Sequence, residues 1–443
     1  PTRRSSDLNG ERFPDFPAFV KEMRERGIRL IPIIDAGVKV EKGYSVYEEG
    51  VKNNYFCKGE DGEPFVVGVW PGDSVFPDFL NSKAREWFGS NYKTLLDCGI
   101  EGFWNDMNEP SVFYSKKNLA KTIEHISGKA GKNLSLQEFW SITGAVATLA
   151  NNPEDYASFY HDADGKQIRH SEVHNLFGYN MVRSASEYFK KYDDKKRFLI
   201  YSRSSHIGMH RYGGIWTGDN ASRWEHLLMN LKMLPSLNMC GFLYAGADIG
   251  GFGQDTTEDL MLRWLALGIF VPLLRNHCTF GARRQEFYLF ENKKAIKNLL
   301  DLRYSLIPYL YSEYVKSALR GELLYTPLGF LHPNDERAKE IEDQLFVGGS
   351  IMIAPVYRQN EKGRLVYLPE SMKMVKIKSV TDYREEVLPR GDHYIEIGFD
   401  ETVFFIAPGK ALPLANPVSH VEELDDKNFL WLKNSEGEVD YEL

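Results

Sequence analysis

Short apolar runs alternate with amphipathic stretches along the chain from Phe13 to about Tyr325. Each run is rich in β-branched or aromatic residues and ends in polar or charged residues, which is typical of a buried strand. The runs that predict strands are residues 29–35, 102–109, 197–203, 213–219, 242–251 and 270–277. The stretches that predict helices are residues 15–26, 83–97, 175–192, 222–234, 258–267 and 292–314. Strands that alternate with helices pair in parallel through crossover connections, so this pattern predicts an α/β fold.

The strand ends favour one kind of α/β fold. All six predicted strands carry polar residues at their C-terminal ends, where a (β/α)8 TIM barrel places its active site. We expect residues 13–325 to form a catalytic barrel that is incomplete at the N-terminus, because six strands are two short of closure. A long insertion at about residues 114–162 comes after one strand. We expect helices in it, since structureless loops of that length are uncommon.

The texture of the sequence changes after about Thr326. Short β-rich segments separated by Gly, Pro and charged turns occupy residues 326–415 and predict an antiparallel β-sandwich domain. The polar and acidic tail, residues 416–443, is expected to be the start of a truncated distal domain. The basic opening, residues 1–12, differs in character from the rest of the chain and is expected to be a non-native or disordered leader.

Composition and charge exclude several classes of protein. Of the 443 residues, 43% are hydrophobic and 26% are charged, as in an ordinary soluble globular protein with a large core. The formal net charge is −8 without long basic runs, so neither nucleic acid nor a membrane is expected as a partner. The longest apolar stretch, residues 264–274, is too short to span a bilayer. The four cysteines lie far apart, which excludes a disulfide framework and a zinc ribbon.

Carboxylates beside indole rings are the chemistry that the strand ends offer. Trp104 stands two positions before Asp106, and Trp216 stands three positions before Asp219. The faces of a sugar ring stack on aromatic planes, and sugar hydroxyls bond to charged groups, so this pairing favours a sugar site. Two facing carboxyl groups, one ionised and one protonated, can break a glycosidic bond, and Asp106 and Asp219 are the best candidates. Arg203, at the end of the intervening strand, would help to keep a nearby carboxylate ionised.

Two other kinds of site find less support. The glycine-rich run 250–253 lacks the spacing and the lysine of a phosphate-binding loop. His170 and His174, and separately His206 and His210, have the i,i+4 spacing of metal ligands on one helical face. Neither pair belongs to a His-Glu-x-x-His motif, so we expect no metal at the active site.

One run of residues has a specific resemblance. Residues 102–110, Gly-Phe-Trp-Asn-Asp-Met-Asn-Glu-Pro, closely resemble the nucleophile signature of glycoside hydrolase family 31, the α-glucosidase-like enzymes. Further stretches agree with the family pattern in the same order: Trp70-Pro71-Gly72 with Phe76-Pro77-Asp78-Phe79, Arg203-Ser204, Trp216-Thr217-Gly218-Asp219-Asn220, Gly246-Ala247-Asp248-Ile249-Gly250-Gly251-Phe252 and Arg275-Asn276-His277. The resemblance spans about residues 13–415.

The resemblance implies a retaining mechanism through a covalent glycosyl-enzyme, with Asp106 as the catalytic nucleophile and Asp219 as the general acid/base. The residues that it implies for substrate binding are Asp35, Trp70, Trp104, Met107, Arg203, Trp216, Asp248, Phe252 and His277. It implies no metal and no cofactor, and its substrates are oligosaccharides or α-glucosides. Family members usually carry a β-sandwich before the barrel, and their second barrel strand carries a sugar-binding aspartate. Neither feature is found here, so we expect the chain to be inactive alone.

Several functions stay open beside the leading hypothesis, a retaining exo-acting α-glucosidase. On the same fold the alternatives are α-xylosidase, transglucosidase and α-glucan lyase, and the choice between α-1,4 and α-1,6 linkages depends on loop-built subsites. From a different class, a non-catalytic carbohydrate-binding relative is disfavoured because it would need neither aspartate. The sequon Asn220-Ala221-Ser222 abuts Asp219, where a glycan would block the pocket, so the sequence favours a cytoplasmic enzyme.

Overall fold

The computed structural model describes residues 9–425 and 427–442 of the chain. The chain forms two compact units, the first ending at Gly214 and the second beginning at Ile215. Of the expected leader, residues 1–8 lie outside the described residues, and residues 9–12 form a turn before the first helix. Within the described part, every helix lacks either the length or the apolar character that crossing a bilayer requires.

Three parallel strands form the centre of the first unit. In sheet order they are Ile33–Asp35, Gly102–Asp106 and Leu199–Ser202. The middle strand is buried up to Asn105, as expected for a strand covered on both faces. The Tyr92 hydroxyl donates to the oxygen of the buried Asn105 amide at 2.8 Å. These strands confirm the first three strand predictions, although each is shorter than predicted.

Capping side chains mark where helices of the first unit begin. Asp15 accepts a hydrogen bond from the Ala18 N–H, and Asn81 accepts from the N–H groups of Lys83 and Ala84. The helices outside the insertion are Phe16–Glu25, Ser45–Lys52, Ser82–Ser90, Lys93–Asp97, His170–Val173, Leu176–Tyr192 and the 3₁₀ turn Met209–Arg211.

The single helix predicted over residues 83–97 is wrong, because two helices occupy that stretch. Between them the side chains of Ser90 and Asn91 donate to the Trp87 carbonyl at 2.7 and 2.9 Å. Such local bonds compete with the backbone bonds that would continue the helix.

Helices fill much of the insertion, as predicted. They are Lys116–Ser127, Leu136–Ala147 and the short helix Pro153–Tyr156. Ser135 begins the second of them with a capping box, in which its side chain and that of Glu138 bond to each other's backbone N–H. A hairpin of Phe159–Ala163 with Lys166–Arg169 comes next. The remaining strands of the unit, all in antiparallel pairs, are Val38–Lys39, Lys58–Gly59, Val66–Val69, Gly72–Val75 and Tyr114–Ser115.

The second unit begins with three more parallel strands, the first of which starts at the unit boundary. In sheet order they are Gly214–Trp216, Ala245–Asp248 and Leu273–Arg275. The longer helices beside them are Trp224–Met239, Glu258–Gly268 and Lys293–Arg320. The first of these continues through Pro235, beyond its predicted end, because Leu231 and Leu234 bury its inner face in the core. The last ends at Gly321, whose left-handed backbone (φ 68°) suits glycine.

An antiparallel sheet and two hairpins complete the second unit. The sheet order is Tyr325–Pro327, Leu345–Val347, Ile351–Ile353, Thr402–Ile406, Met372–Ser379 and Asp382–Leu388. The hairpins pair Gly363–Leu368 with Gly391–Glu396 and Ala411–Ala415 with Phe429–Lys433. Short helical turns lie at Phe287–Leu289, Leu328–Leu331, Glu336–Lys339 and Val421–Glu423.

The strand Thr402–Ile406 of the antiparallel sheet is buried on both faces. Phe404 and Ile406 join the hydrophobic cluster that contains the long helices, whereas Val403 and Phe405 join a second cluster with Val366 of the hairpin. This alternation is what two-sided packing of a strand requires. Part of the predicted distal segment, the strand Phe429–Lys433, pairs back onto this unit, and the distal domain itself stays a prediction.

Candidate active site

Asp106 lies at the C-terminal end of the middle strand of the first unit, level with Asp35 on the neighbouring strand. Parallel pairing therefore puts both carboxylates at one sheet edge. Asp106 Oδ1 accepts the N–H of Met107 at 2.8 Å and a bond from Arg203 Nη1 at 3.3 Å. Both bonds fall on one oxygen, so they fix the orientation of the carboxylate.

Arg203 ties together the turn that comes after Asp106. Its Nε donates to Glu109 Oε1 at 2.7 Å, and its Nη1 lies 3.3 Å from the Met107 sulfur. Its Nη2 donates to the Ser111 hydroxyl at 3.4 Å. A planar group with several donors suits this role, which a lysine could not fill.

A second set of bonds supports the same turn. Asn108 is fully buried, and its amide N–H donates to the Ser202 hydroxyl at 2.9 Å. Its amide oxygen accepts the Ser204 N–H at 3.0 Å. Met107 needs this support because its φ of 54° is one that non-glycine residues rarely adopt.

Asp35 has an altered acidity. Burial, and then the negative charge of Asp106, raise the pKa of Asp35 to about 6, while Arg203 opposes the shift. A carboxyl group with this pKa exchanges its proton near neutral pH. Neighbouring carboxylates in different environments are typical of acid–base sites.

The predicted aromatic residues of the first unit comprise one buried and one exposed ring. Trp104 is 5% exposed and lies against Tyr201, with ring centroids 4.9 Å apart. Trp70 is 71% exposed and meets Phe113 edge-on at 4.9 Å. Trp104 therefore has the burial of a core residue, whereas Trp70 has a surface on which a ligand can stack.

Asp248 ends the strand Ala245–Asp248 in the second unit and is completely buried. Arg275, opposite it on the next strand, binds both carboxylate oxygens: Nη2 donates to Oδ2 at 2.8 Å, and Nε donates to Oδ1. Burial raises the pKa of Asp248, and Arg275 and His277 oppose the rise. The same guanidinium lies over the Trp216 ring, 5.5 Å from its centroid.

Phe252 and His277 form another aromatic pair in this unit. Their rings stack at 5.3 Å with planes 29° apart. Gln285 joins their two loops, since its Nε2 donates to the His277 carbonyl at 3.1 Å and to the Gly251 carbonyl at 3.2 Å. Gly251 has no room for a side chain, because a Cβ there would lie 2.4 Å from the Ser222 nitrogen.

Asp219 is exposed and lies three residues after the strand Gly214–Trp216. Its negative charge contributes to the raised pKa of Asp248, so the two carboxyl groups interact electrostatically. The next residue, Asn220, donates its amide N–H to the Asp248 carbonyl at 3.0 Å, and its own carbonyl accepts the Phe252 N–H at 2.7 Å. These bonds hold the loop of Asp219 beside Asp248 and Phe252.

The structure thus groups the predicted site residues in two sets. In the first unit Asp35, Met107 and Arg203 surround Asp106. In the second unit the set comprises Trp216, Asp219, Asp248, Phe252 and His277. Their expected roles in catalysis and substrate binding stay predictions.

Glu109, Arg275 and Gln285 are among the residues of these networks that received no role from the sequence. Glu109 is 94 residues from Arg203, and Arg275 is 27 residues from Asp248, so spacing gave no signal for either pair. The usable signal was that both charged residues stand at the ends of predicted strands. Gln285 lies well beyond the last predicted strand and gave none.

One group of side chains in the described part of the chain has donor atoms close enough to hold a metal: Cys57, Asp78 and His161, all buried. These atoms already bond to one another, since His161 Nδ1 lies 2.7 Å from Asp78 Oδ1 and 3.5 Å from the Cys57 sulfur. Burial and the charge of Asp78 raise the pKa of the Cys57 thiol, whereas a metal requires the thiolate. The group therefore fits a hydrogen-bonded network better than a metal centre.

The two histidine pairs with metal-ligand spacing are engaged elsewhere. His170 Nε2 lies 2.9 Å from His174 Nδ1, so these imidazoles bond to each other. His206 Nδ1 lies 3.0 Å from the Ile207 carbonyl, and His210 lies on the 3₁₀ turn Met209–Arg211.

Two sequence models of one family match most of the chain. The TIM-barrel domain of glycosyl hydrolases family 31 matches residues 2–313, and the C-terminal domain of that family matches residues 321–412. Among curated proteins, the chain is 34% identical over 429 residues to alpha-glucosidase 2 of Bacillus thermoamyloliquefaciens, covering 96% of this chain and 49% of that protein. It is 30% identical over 441 residues to lysosomal alpha-glucosidase of Mus musculus, covering 94% and 44%. The chain thus spans about half, or less, of the length of these relatives.

Solved structures agree with the fold. A glucosidase II alpha subunit in its Tris-bound form matches with a TM-score of 0.77 at 27% identity, covering 95% of this chain and 42% of that one. A Flavobacterium johnsoniae GH31 dextranase complexed with glucose matches in fold, with a TM-score of 0.76 at 21% identity over 96% and 48%. The comparisons confirm the predicted (β/α)8 barrel with a second domain of antiparallel sheets after it.

Proposed function

The chain belongs to glycoside hydrolase family 31, and from this premise we propose that its protein is a retaining, exo-acting α-glucosidase. The proposed substrates are oligosaccharides or other α-glucosides. The observation that carries the proposal is the setting of Asp106, whose Oδ1 is held by the Met107 N–H and by Arg203 at the end of a barrel strand. The names of the relatives, alpha-glucosidases, support the choice of sugar and of anomer.

The proposed chemistry uses two carboxyl groups in two steps. Asp106, ionised, forms a bond from Oδ2 to the anomeric carbon while the glycosidic C–O bond breaks and Asp219 gives its proton to the leaving oxygen. Asp219 then takes a proton from water, whose oxygen displaces Asp106 from the sugar. Two inversions retain the anomeric configuration. No metal or cofactor takes part in these steps.

Arg203 supports the first step because its Nη1 bonds to Asp106 Oδ1 at 3.3 Å and so orients the carboxylate. The other proposed substrate-binding residues are Asp35, Trp70, Trp104, Met107, Trp216, Asp248, Phe252 and His277. The exposure of Trp70 supports a stacking role for its ring. The buried Asp248–Arg275 pair supports a role in fixing the loop that carries Asp219.

We further propose a cytoplasmic location, on the evidence of the sequon residue Asn220. Its side chain is buried, and the amide nitrogen to which a glycan would be attached donates to the Asp248 carbonyl instead. A glycan found on Asn220 in the native protein would contradict that location.

Replacement of the nucleophile tests the proposal. In the full-length protein Asp106→Asn should lower turnover of an aryl α-glucoside by at least about 10³-fold, because an amide cannot form the covalent intermediate. Asp382→Asn, at an exposed position on an edge strand, is the matched control and should leave turnover unchanged. Activity retained in Asp106→Asn would contradict the assignment of Asp106 as the nucleophile.

The products of the wild-type protein separate activities on the same fold. Free glucose supports hydrolysis, longer glucosides indicate transfer, and an unsaturated sugar indicates a lyase. A preference for xylosides over glucosides would favour the α-xylosidase alternative.

A further inference from the structure

The turn directly after Asp106, residues 107–112, is held from outside by the end of the insertion. We call residues 107–112 the nucleophile turn. The end of the insertion contributes Asn151 and Tyr156, which bond to the backbone of the turn. They lie 39 and 46 positions after their respective partners, Val112 and Pro110. The mechanism proposed above uses neither residue.

Asn151 binds the far end of the nucleophile turn through two bonds. Its side-chain oxygen accepts the Val112 N–H at 2.9 Å, and its own N–H donates to the Val112 carbonyl at 2.8 Å. Asn151 adopts a left-handed backbone (φ 53°), which asparagine tolerates better than most residues.

Tyr156 binds the middle of the turn. Its hydroxyl proton is shared between the Pro110 carbonyl at 3.0 Å and Asn151 Oδ1 at 2.9 Å. Burial, and then the charges of Glu109 and Asp155, raise the pKa of Tyr156, so the hydroxyl stays a donor.

A chain of imidazoles packs behind Tyr156. The Tyr156 ring meets His174 edge-on at 4.8 Å and lies 5.6 Å from His170. His170 Nε2 lies 2.9 Å from His174 Nδ1, and His161 Nε2 lies 3.0 Å from His170 Nδ1. The chain ends at Asp78, whose Oδ1 lies 2.7 Å from His161 Nδ1.

The direction of this chain is set by its buried end. Both oxygens of Asp78 accept backbone N–H groups, from Leu80 and Asp162, so the carboxylate also accepts from His161. The tautomers that satisfy every bond then have His170 donating its Nδ1–H to His161 Nε2, and His174 donating its Nδ1–H to His170 Nε2. His161 and His170 are buried, and their hydrogen bonds fix their orientation. The imidazoles therefore form a rigid surface against which the Tyr156 ring packs.

We propose that Tyr156 and His174 are positioning residues for the nucleophile. Tyr156 holds the Pro110 carbonyl, which fixes the adjacent Glu109. Glu109 in turn fixes Arg203, which orients Asp106. His174 fixes the Tyr156 ring, and the charge of Glu109 also acts on the His174 imidazole. The part of this proposal that concerns Asp106 rests on the proposed function.

Tyr156→Phe is the test, because it removes one hydroxyl and keeps the ring against His174. Tyr160→Phe is the matched control, since the Tyr160 hydroxyl accepts from Arg169 on the hairpin Phe159–Ala163/Lys166–Arg169, away from the turn. Two quantities are measured in the full-length protein: amide hydrogen exchange of the peptide that covers residues 107–112, and kcat and KM for an aryl α-glucoside. We expect Tyr156→Phe to speed exchange in that peptide and to lower kcat about tenfold with KM within about twofold of wild type.

Amide exchange tests the contact with the turn, whereas kcat tests the effect of that contact on the nucleophile. If wild type turns over the glucoside and Tyr156→Phe matches it in both exchange and kcat, the positioning role is overturned. Faster exchange with unchanged kcat also overturns it, since the turn would then be loosened without effect on the nucleophile. Faster exchange in a protein whose wild type has no glucosidase activity supports the contact and overturns the proposed function instead. Should Tyr156→Phe not fold, His174→Gln is measured in the same way with the same expected changes.

Discussion

At the scale of single residues, Asp35 and Asp106 place two carboxyl groups side by side at the ends of neighbouring strands. The folded state raises the pKa of Asp35 to about 6, whereas an unfolded chain leaves it near its ordinary value of about 4. The folded state therefore binds the proton more tightly, and the stability that this contributes is present below about pH 4 and is lost as pH rises through 6.

Asp35→Asn should remove this pH-dependent cost. At pH 7.5 the free energy of unfolding should rise by on the order of 1–3 kcal/mol relative to wild type, and at pH 4.5 the gain should be much smaller. Urea unfolding at the two pH values measures the difference. An equal change at both pH values would count against the shifted acidity, since loss of a hydrogen bond alone has no such pH dependence.

Residue motifs could single out the two aspartates as candidates, because Asp106 stands at a strand end and Asp219 three residues after one, each within a specific run. The partners of the site could not be identified in the same way. Glu109 meets Arg203, and Arg275 meets Asp248, only because strands distant in sequence become neighbours. Residue type and spacing carry no record of that pairing.

At the scale of elements, strand positions were predictable and element ends were not. The edge strand Asp382–Leu388 is exposed, and its run of charged residues is not one from which a strand can be predicted. The helix over 83–97 is divided by side-chain bonds from Ser90 and Asn91, which propensity alone does not reveal. Periodicity finds the buried face of an element, whereas its ends are decided by a few local hydrogen bonds.

The imidazole chain makes an element-scale prediction about pH. Burial, and then the neighbouring imidazoles His161 and His174, lower the pKa of His170 to about 2, and burial lowers that of His174 although Glu109 opposes it. His170 and His174 therefore stay neutral in the folded state and take up protons when the chain unfolds below about pH 6.5. Stability is therefore fully present above that pH and is lost as pH falls.

His170→Gln should flatten this loss, because glutamine can keep hydrogen bonds but takes up no proton in either state. Between pH 7 and pH 5 the variant should lose about 2 kcal/mol less unfolding free energy than wild type. His210→Gln, at an exposed position, is the control and should behave as wild type does. If the free energy of unfolding fell equally with pH in wild type and His170→Gln, a neutral, buried His170 would be contradicted.

At the scale of the whole molecule, the order of six motifs along the chain identified the family that the comparisons confirm. Composition and charge alone would have indicated only an ordinary globular protein with a large core. Specificity for one linkage was not predictable, because the loops that would contact the second sugar carry no motif. The chain covers about half of its curated relatives, so its activity is to be measured on the full-length protein.

Covalent trapping tests the central claim most directly. A fluorinated α-glucosyl fluoride, which slows breakdown of a glycosyl-enzyme, is incubated with the full-length protein, and the digest is analysed by mass spectrometry. The account predicts one hexosyl adduct per chain, on the peptide and the side chain of Asp106, and none in Asp106→Asn. An adduct on another carboxylate, or turnover of the reagent without any adduct on Asp106, would contradict it.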